Sequence, residues 1–296
     1  MSIEAFGLQF ATGLARAAVL FIVASGLSLV FGALRIVNIA HGSFYMLGAF
    51  IAVTIAGAVA DVAGNALGFL AALLLVPVVV AGIGALIETT TLRRLYGKEH
   101  LLQLLATFAF LLILSDVVRF FYGERPRSLR GPPFASGALN VGGVFFPRYS
   151  VFLVVAALVL GAGLWWLMSR TGLGRDIRAA VDDPEMLGMV GVNVPRLFTV
   201  VFALGAALAA LGGVLAGPQT TILLGMDVDF IIEAFAVVII GGLGSLKGTA
   251  VGAILVGVVF ALGITVFPQG AMAIVFLLMV AVLVFRPYGL FGTVGA

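Results

Sequence analysis

Across 296 residues, 62% of the side chains are hydrophobic and 10% are charged, with a mean hydropathy of +1.26. This excludes a soluble globular domain, in which about 25% of residues are charged. The formal charge of +3 does not point to nucleic acid, because in so apolar a chain a Lys/Arg excess marks cytoplasmic loops, and with no cysteine disulfides and thiol chemistry are excluded.

The expected fold class is therefore an all-α polytopic membrane protein, a single transmembrane domain over residues 1–296. Taking about 20 apolar residues per crossing, spans are expected near 9–33, 42–60, 66–88, 101–121, 150–168, 197–217, 226–245, 248–267 and 270–286. The first run has no basic cluster before it and reads as a span, not a cleaved signal, so the chain is expected to begin near Met1. The Gly-rich, polar stretches at 34–43 and 241–248 are candidates for broken or re-entrant segments. The count is then eight or nine, with 226–245 the weakest span.

Residues 26–50, GLSLVFGALRIVNIAHGSFYMLGAF, place Arg35, Asn38, His41, Ser43 and Tyr45 between two apolar runs. Asn38, His41, Gly42 and Ser43 are candidates for a broken helix lining a pathway, the polar side chains bonding backbone groups freed by the break. No metal site is expected, since no second histidine or carboxylate accompanies His41, and His100 lies in another loop.

Ionisable groups inside spans are few. Arg16 is expected to snorkel outward, Asp116 and Arg119 to pair, and Glu88 and Glu233 to sit near interfaces. No line of carboxylates or histidines crosses mid-membrane, which argues against an ion-coupled secondary carrier, the alternative from a different class. No charge pair suited to gripping a zwitterion is evident.

Arg93, Arg94, Lys98, the 170–196 stretch, Lys247 and Arg286 fall on one side by parity, which the positive-inside rule makes cytoplasmic, with the N-terminus outside. The 122–149 loop is basic yet falls outside; it is long, and long loops obey the rule less strictly.

Residues 170–196 hold eight of the 29 charged residues. Leu173, Ile177, Ala180 and Val181 recur at helical spacing, with Arg175, Arg178 and Asp182 on the other side. Asp183, Pro184 and Glu185 form a helix start, and Gly191 a stop. Two short helices meeting near Asp183 are expected. Farther on, Gly205, Ala209, Gly213 and Gly217, and likewise Gly244, Gly248 and Gly252, lie four apart. Each set predicts a smooth stripe for close helix packing. The run GGLGSLKGT at 241–249 looks like a phosphate loop but is not one. Leu246 precedes Lys247 and Gly248 follows it, where the motif needs Gly before and Ser or Thr after.

Three stretches together resemble the permeases of bacterial branched-chain amino acid ABC importers. They are RIVNIAHGSFYMLGAF (35–50), TGLGRDIRAAVDDPEMLGMVGVNVPRLFTVVFALGAALAALGGVLAG (171–217) and AFAVVIIGGLGSLKGTAVGAILVG (234–257). The Asn-Ile-Ala-His-Gly run is similar to one of that family's two permease paralogues. Two departures stand out: Lys247 replaces a common proline, and Asp176 a small or uncharged residue.

The resemblance implies a bacterial-type inner-membrane permease with no cofactor or ATPase site of its own. Its implied partners are a paralogous second permease, two cytoplasmic ATPases carrying ATP and Mg, an extracytoplasmic substrate-binding protein and membrane lipid, with no nucleic acid. It implies ATPase coupling by Gly174, Arg175, Arg178, Ala179, Asp182, Asp183, Pro184, Glu185 and Gly191. It also marks Asn38, His41, Gly42, Ser43, Gly241, Gly242, Gly244 and Ser245 as candidates for the pathway or its broken helices. The implied substrates are branched-chain amino acids, with urea, short amides or other small amino acids as alternatives within the family.

Overall fold

The computed structural model describes residues 3–141 and 144–292; the expected start at Met1 lies outside them. The helices are α1 (Ile3–Leu34), α2 (His41–Ala63), α3 (Asn65–Thr90), α4 (His100–Tyr122), α5 (Arg148–Arg170), α6 (Gly172–Asp182) and α7 (Pro184–Met189), then α8 (Val194–Ala216), α9 (Met226–Gly241), α10 (Leu246–Val266) and α11 (Ala271–Phe285). A short antiparallel hairpin, β1 (Ala138–Val141) and β2 (Val144–Pro147), precedes α5.

Among the described residues, eight helical segments are long and apolar enough to cross a membrane: α1 to α5, α8, α10, and α11 together with the turn that leads into it, Pro268–Phe285. The expected span at 226–245 is shorter than predicted. Its helix, α9, has 16 residues, about 24 Å at 1.5 Å per residue, against a hydrocarbon core of about 30 Å. Gly242, at φ 105°, ends it.

α1 and α8 form the centre. Leu20, Val23, Phe202 and Val214 are almost fully buried there, against Phe44 of α2 and Val237 of α9. α5 and α11 lie outside and expose Val155, Leu158, Leu277 and Val284, apolar faces that only lipid or another membrane subunit can cover without cost.

Lipid tails are as apolar as the side chains, so association rests on close contact between small residues. The first stripe serves three neighbours in turn. A Cβ on Gly205 would strike Val30 of α1, one on Gly213 the Tyr45 carbonyl of α2, and one on Gly217 the side chain of Leu129 in the loop after α4. The second stripe is corrected: Gly244 lies before α10, at φ 78°, beside Gly32 of α1. Gly241 of α9 takes its place, packed backbone to backbone against Gly248, while Gly252 meets the Val237 carbonyl.

The two ends of the bundle sort as parity predicts. Arg93 reaches Pro195, Arg35 reaches Val181, and Leu290 bonds the Ile240 carbonyl, all at one end. At the other end Arg127 and Ile222 exchange backbone hydrogen bonds of 2.8 and 2.9 Å, tying the 122–149 loop to 217–225.

Candidate functional site

The chain breaks between α1 and α2. Arg35 adopts φ 54°, a left-handed conformation that costs a residue with a Cβ roughly 1–2 kcal/mol and stops the helix. Residues 35–38 have no regular secondary structure, and Ile36, Asn38 and Ala40 are buried. Helix α2 starts at His41, whose Nε2 donates to the Val23 carbonyl at 2.9 Å. Val23 lies eleven residues before the end of α1, about 16 Å along the helix, so α2 begins inside the bundle.

Asn38, expected to bond the freed backbone, does not: both its side-chain polar atoms are buried without a partner. Thr107 of α4 serves instead, donating to the Val37 carbonyl at 3.3 Å. Ser43 turns away from the break and donates to Asp227 Oδ2 at 3.2 Å, joined there by Ser115 at 3.0 Å. A Cβ on Gly42 would collide with the Asp227 carbonyl, which holds α2 and α9 in backbone contact.

Asp227 was missed as a buried group. It stands at the start of the expected span 226–245 and is fully buried in the first turn of α9, where the helix dipole favours a negative charge. No local pattern could place two serines from α2 and α4 on it.

At the second Gly-rich stretch, Gly242 and Gly244 both take positive φ and Ser245 caps α10, accepting from the Gly248 amide at 3.1 Å. Lys247 is then the second residue of α10, a position whose amide needs no helical partner and which accepts proline or any other residue. The Ile240 and Gly241 carbonyls at the end of α9 accept from Leu290 and Phe291, each at 2.9 Å.

The ionisable residues pair differently from expectation. Arg16 does not snorkel; it forms an ion pair with Glu233 of α9 and stacks on Phe260, 3.7 Å from the ring centroid. Arg119 pairs with Glu124, not Asp116. Glu88 is fully buried and accepts from Arg93, from Tyr96 at 2.8 Å and from Thr199 at 2.7 Å, joining the end of α3 to the start of α8. Burial, and then the bond to Glu88, pushes the Tyr96 phenol well above its usual range, so it remains a donor.

The 170–196 stretch forms two short helices at a corner, α6 and α7. Thr171 caps α6 by accepting from the Gly174 amide at 3.1 Å, and Asp183 caps α7 by accepting from the Met186 amide at 2.9 Å. Pro184 opens α7, and Gly191, at φ 91°, follows its end. Ile177 and Ala180 are buried with Leu187, against Ala33, Leu197 and Val201 at the ends of α1 and α8. The apolar face of α6 thus docks on its own bundle.

Gly174 packs on α5, where a Cβ would overlap the Leu167 and Met168 carbonyls. Arg178 is exposed on the outer face of α6, as expected, and its guanidinium donates to the Met168 carbonyl. Arg175, Asp182, Asp183, Pro184 and Glu185 are exposed and Ala179 is half-buried. Beside them lie Met186, Met189 and Val190, exposed by 55, 75 and 72%.

A family model described as "Branched-chain amino acid transport system / permease component" matches residues 9–283. The chain belongs to that family. It is 31% identical over 293 residues to the high-affinity branched-chain amino acid transport system permease protein BraD of Pseudomonas aeruginosa, covering 96% of this chain and 95% of BraD. It is 26% identical to LivH of Escherichia coli, of the same description, over 96% of this chain and 94% of LivH. A probable LivH of Methanocaldococcus jannaschii is 29% identical over 92 and 88% of the two chains.

As a member of this permease family the chain is a multi-pass membrane protein, in keeping with its eight long apolar helices. The match extends across the break, the corner and the Gly-rich turn alike.

Proposed function

We propose that this chain is the membrane-spanning permease subunit of an ATP-binding-cassette importer for branched-chain amino acids. It works beside a paralogous permease, two cytoplasmic ATPases and an extracytoplasmic binding protein. The observation that carries the reading is the full-length likeness to permease proteins named for branched-chain amino acid transport.

In this reading the corner is the coupling surface. An ATPase seats against exposed Met186, Met189 and Val190 of the α7 end, with Arg175, Asp182 and Glu185 setting the register by charge. Force applied at α7 passes to α6 through the Asp183 cap and then to three spans. α6 is packed on α1 and α8, and Arg178 holds it to the end of α5. Packed elements move as bodies and do not deform smoothly, so the push tilts these spans. Arg35, which donates to the Val181 carbonyl at 3.2 Å, carries the same movement to the break before α2. Asn38, His41, Gly42 and Ser43, with Gly241, Gly242, Gly244 and Ser245, are the hinge-like stretches at which the pathway changes access.

The test is substrate-stimulated ATP hydrolysis by the reconstituted complex against leucine, isoleucine, valine, other small amino acids, urea and short amides. Stimulation by the three branched-chain amino acids supports the assignment, and stimulation by urea or amides alone replaces the substrate. Hydrolysis by this chain purified without partners would contradict the scheme, since it carries no phosphate loop.

A further inference from the structure

Two of the cavities along α1 differ sharply in chemistry. One lies beside α5 and α10 and is walled by Leu14, Phe21, Trp165 and Ile254, with Lys247 as its charged group; its apolar wall suits an acyl chain or a partner helix. The other, of about 460 Å³, lies toward the outer end, between α1, α9, α10 and the 217–225 loop. That volume falls in the range of about 300–1,000 Å³ typical of small-molecule sites. Arg16, Asp229 and Glu233 all line it, together with Val19, Phe230 and Phe260.

We infer that this outer cavity is a binding subsite for an α-amino acid zwitterion with an aliphatic side chain. The choice of a zwitterion rests on the importer reading above; the placement of the charges does not. Arg16 is held by Glu233 on one side and by the Phe260 ring beneath, and 34% of its side chain remains exposed. It is thus a fixed cation facing the void, ready to receive a carboxylate by charge-assisted hydrogen bonds. Asp229, exposed on the same wall, makes no ion pair among the described residues, and with Glu233 it offers negative charge to an ammonium. Val19, Phe230 and Phe260 give the aliphatic side chain an apolar wall.

A purely cohesive role for the Arg16–Glu233 pair accounts for less. An ion pair with one partner buried and the other a third exposed adds little stability over well-packed apolar residues. Cohesion also gives no reason for a second carboxylate at the same void. The sequence hid the arrangement because the paired residues are 217 positions apart.

The experiment uses the complete transporter in lipid nanodiscs, with and without its binding protein, and tritiated L-leucine as the probe. Without the binding protein, saturable leucine binding is expected. Leucinamide, which lacks the carboxylate, and 4-methylpentanoate, which lacks the ammonium, should compete at least about tenfold less well than leucine. Arg16→Gln should erase the preference for leucine over leucinamide, and Asp229→Asn should reduce the preference over 4-methylpentanoate by about threefold or more. Asp229 is exposed, so its variant tests the site even if the Arg16 variant fails to assemble. A wild-type complex that takes up leucine yet shows no saturable binding, or variants that keep the full discrimination, would overturn the subsite and leave the importer reading standing. A complete wild-type system that takes up no leucine overturns both.

Discussion

The corner of α6 and α7 and the seam between α9 and α10 are both functional candidates, yet they are built on opposite principles. The corner is charged and exposed. Most of its structure is made by residues three or four apart: Thr171 on Gly174, Asp183 on Met186. At its closest approaches the seam is backbone on backbone. Gly241 and Gly248 press backbone on backbone, and Gly252 sits on the Val237 carbonyl. A surface built from side chains tolerates their exchange, whereas a contact between backbones tolerates no side chain at all. The corner should therefore tune coupling, while the seam should decide whether the permease exists.

The hardest test of that contrast is Gly248→Leu or Gly241→Leu. Each places a branched side chain where even a Cβ overlaps the facing carbonyl, and the cost should be about 3 kcal/mol or more. Monodisperse protein should be lost on size-exclusion chromatography. A normally assembled, transporting variant would mean that the seam opens without penalty. Gly57→Ala is the control from open helix surface, with nothing near its Cβ, and should be neutral or stabilising by up to about 1 kcal/mol.

Gly174→Ala probes the one corner position that obeys the rule of the seam. Its Cβ overlaps the Leu167 and Met168 carbonyls, so α6 should lift from α5 at a cost of about 1–3 kcal/mol. In a pull-down from solubilised membranes the permease should be recovered with little ATPase attached. Full ATPase recovery would show that coupling does not depend on how α6 is seated.

Asp183→Ala removes the cap of α7 and should cost about 1 kcal/mol, a small downward shift in melting temperature, with labelled leucine uptake falling more than stability does. Equal losses would assign Asp183 to folding alone. Smallest in stability should be Arg175→Glu, an exposed change expected within about 0.5 kcal/mol. It should still weaken ATPase capture. Arg178→Glu is a poorer probe than its charge suggests, because it also removes the donor to the Met168 carbonyl.

The corner was legible because its rules are local. A capping Asp, a proline at the first helical position and a glycine after the last turn act within four residues, and the structure places Asp183, Pro184 and Gly191 in those positions. The spans were legible for the same reason, since hydropathy needs only a window of about 20 residues; the weakest of them, 226–245, falls short because its apolar run continues past the end of α9 into Gly242.

What a single window cannot hold is a partner far along the chain. Asn38 looked like the residue that would satisfy a freed carbonyl, but Thr107, 70 positions after the Val37 carbonyl it meets, does so. Asp227 receives Ser43 and Ser115 from two other helices, 184 and 112 positions away. Arg16 looked free to reach the surface until Glu233 was folded against it.

By itself the sequence determined the membrane class, the long apolar helices, the caps of the corner and the family, because each depends on composition, short-range periodicity or an ordered motif. Only the tertiary structure decided which glycines meet, which carboxylates are buried and which charges share a cavity. Those outcomes depend on backbone approach and desolvation between helices, and such quantities arise only once the helices are packed.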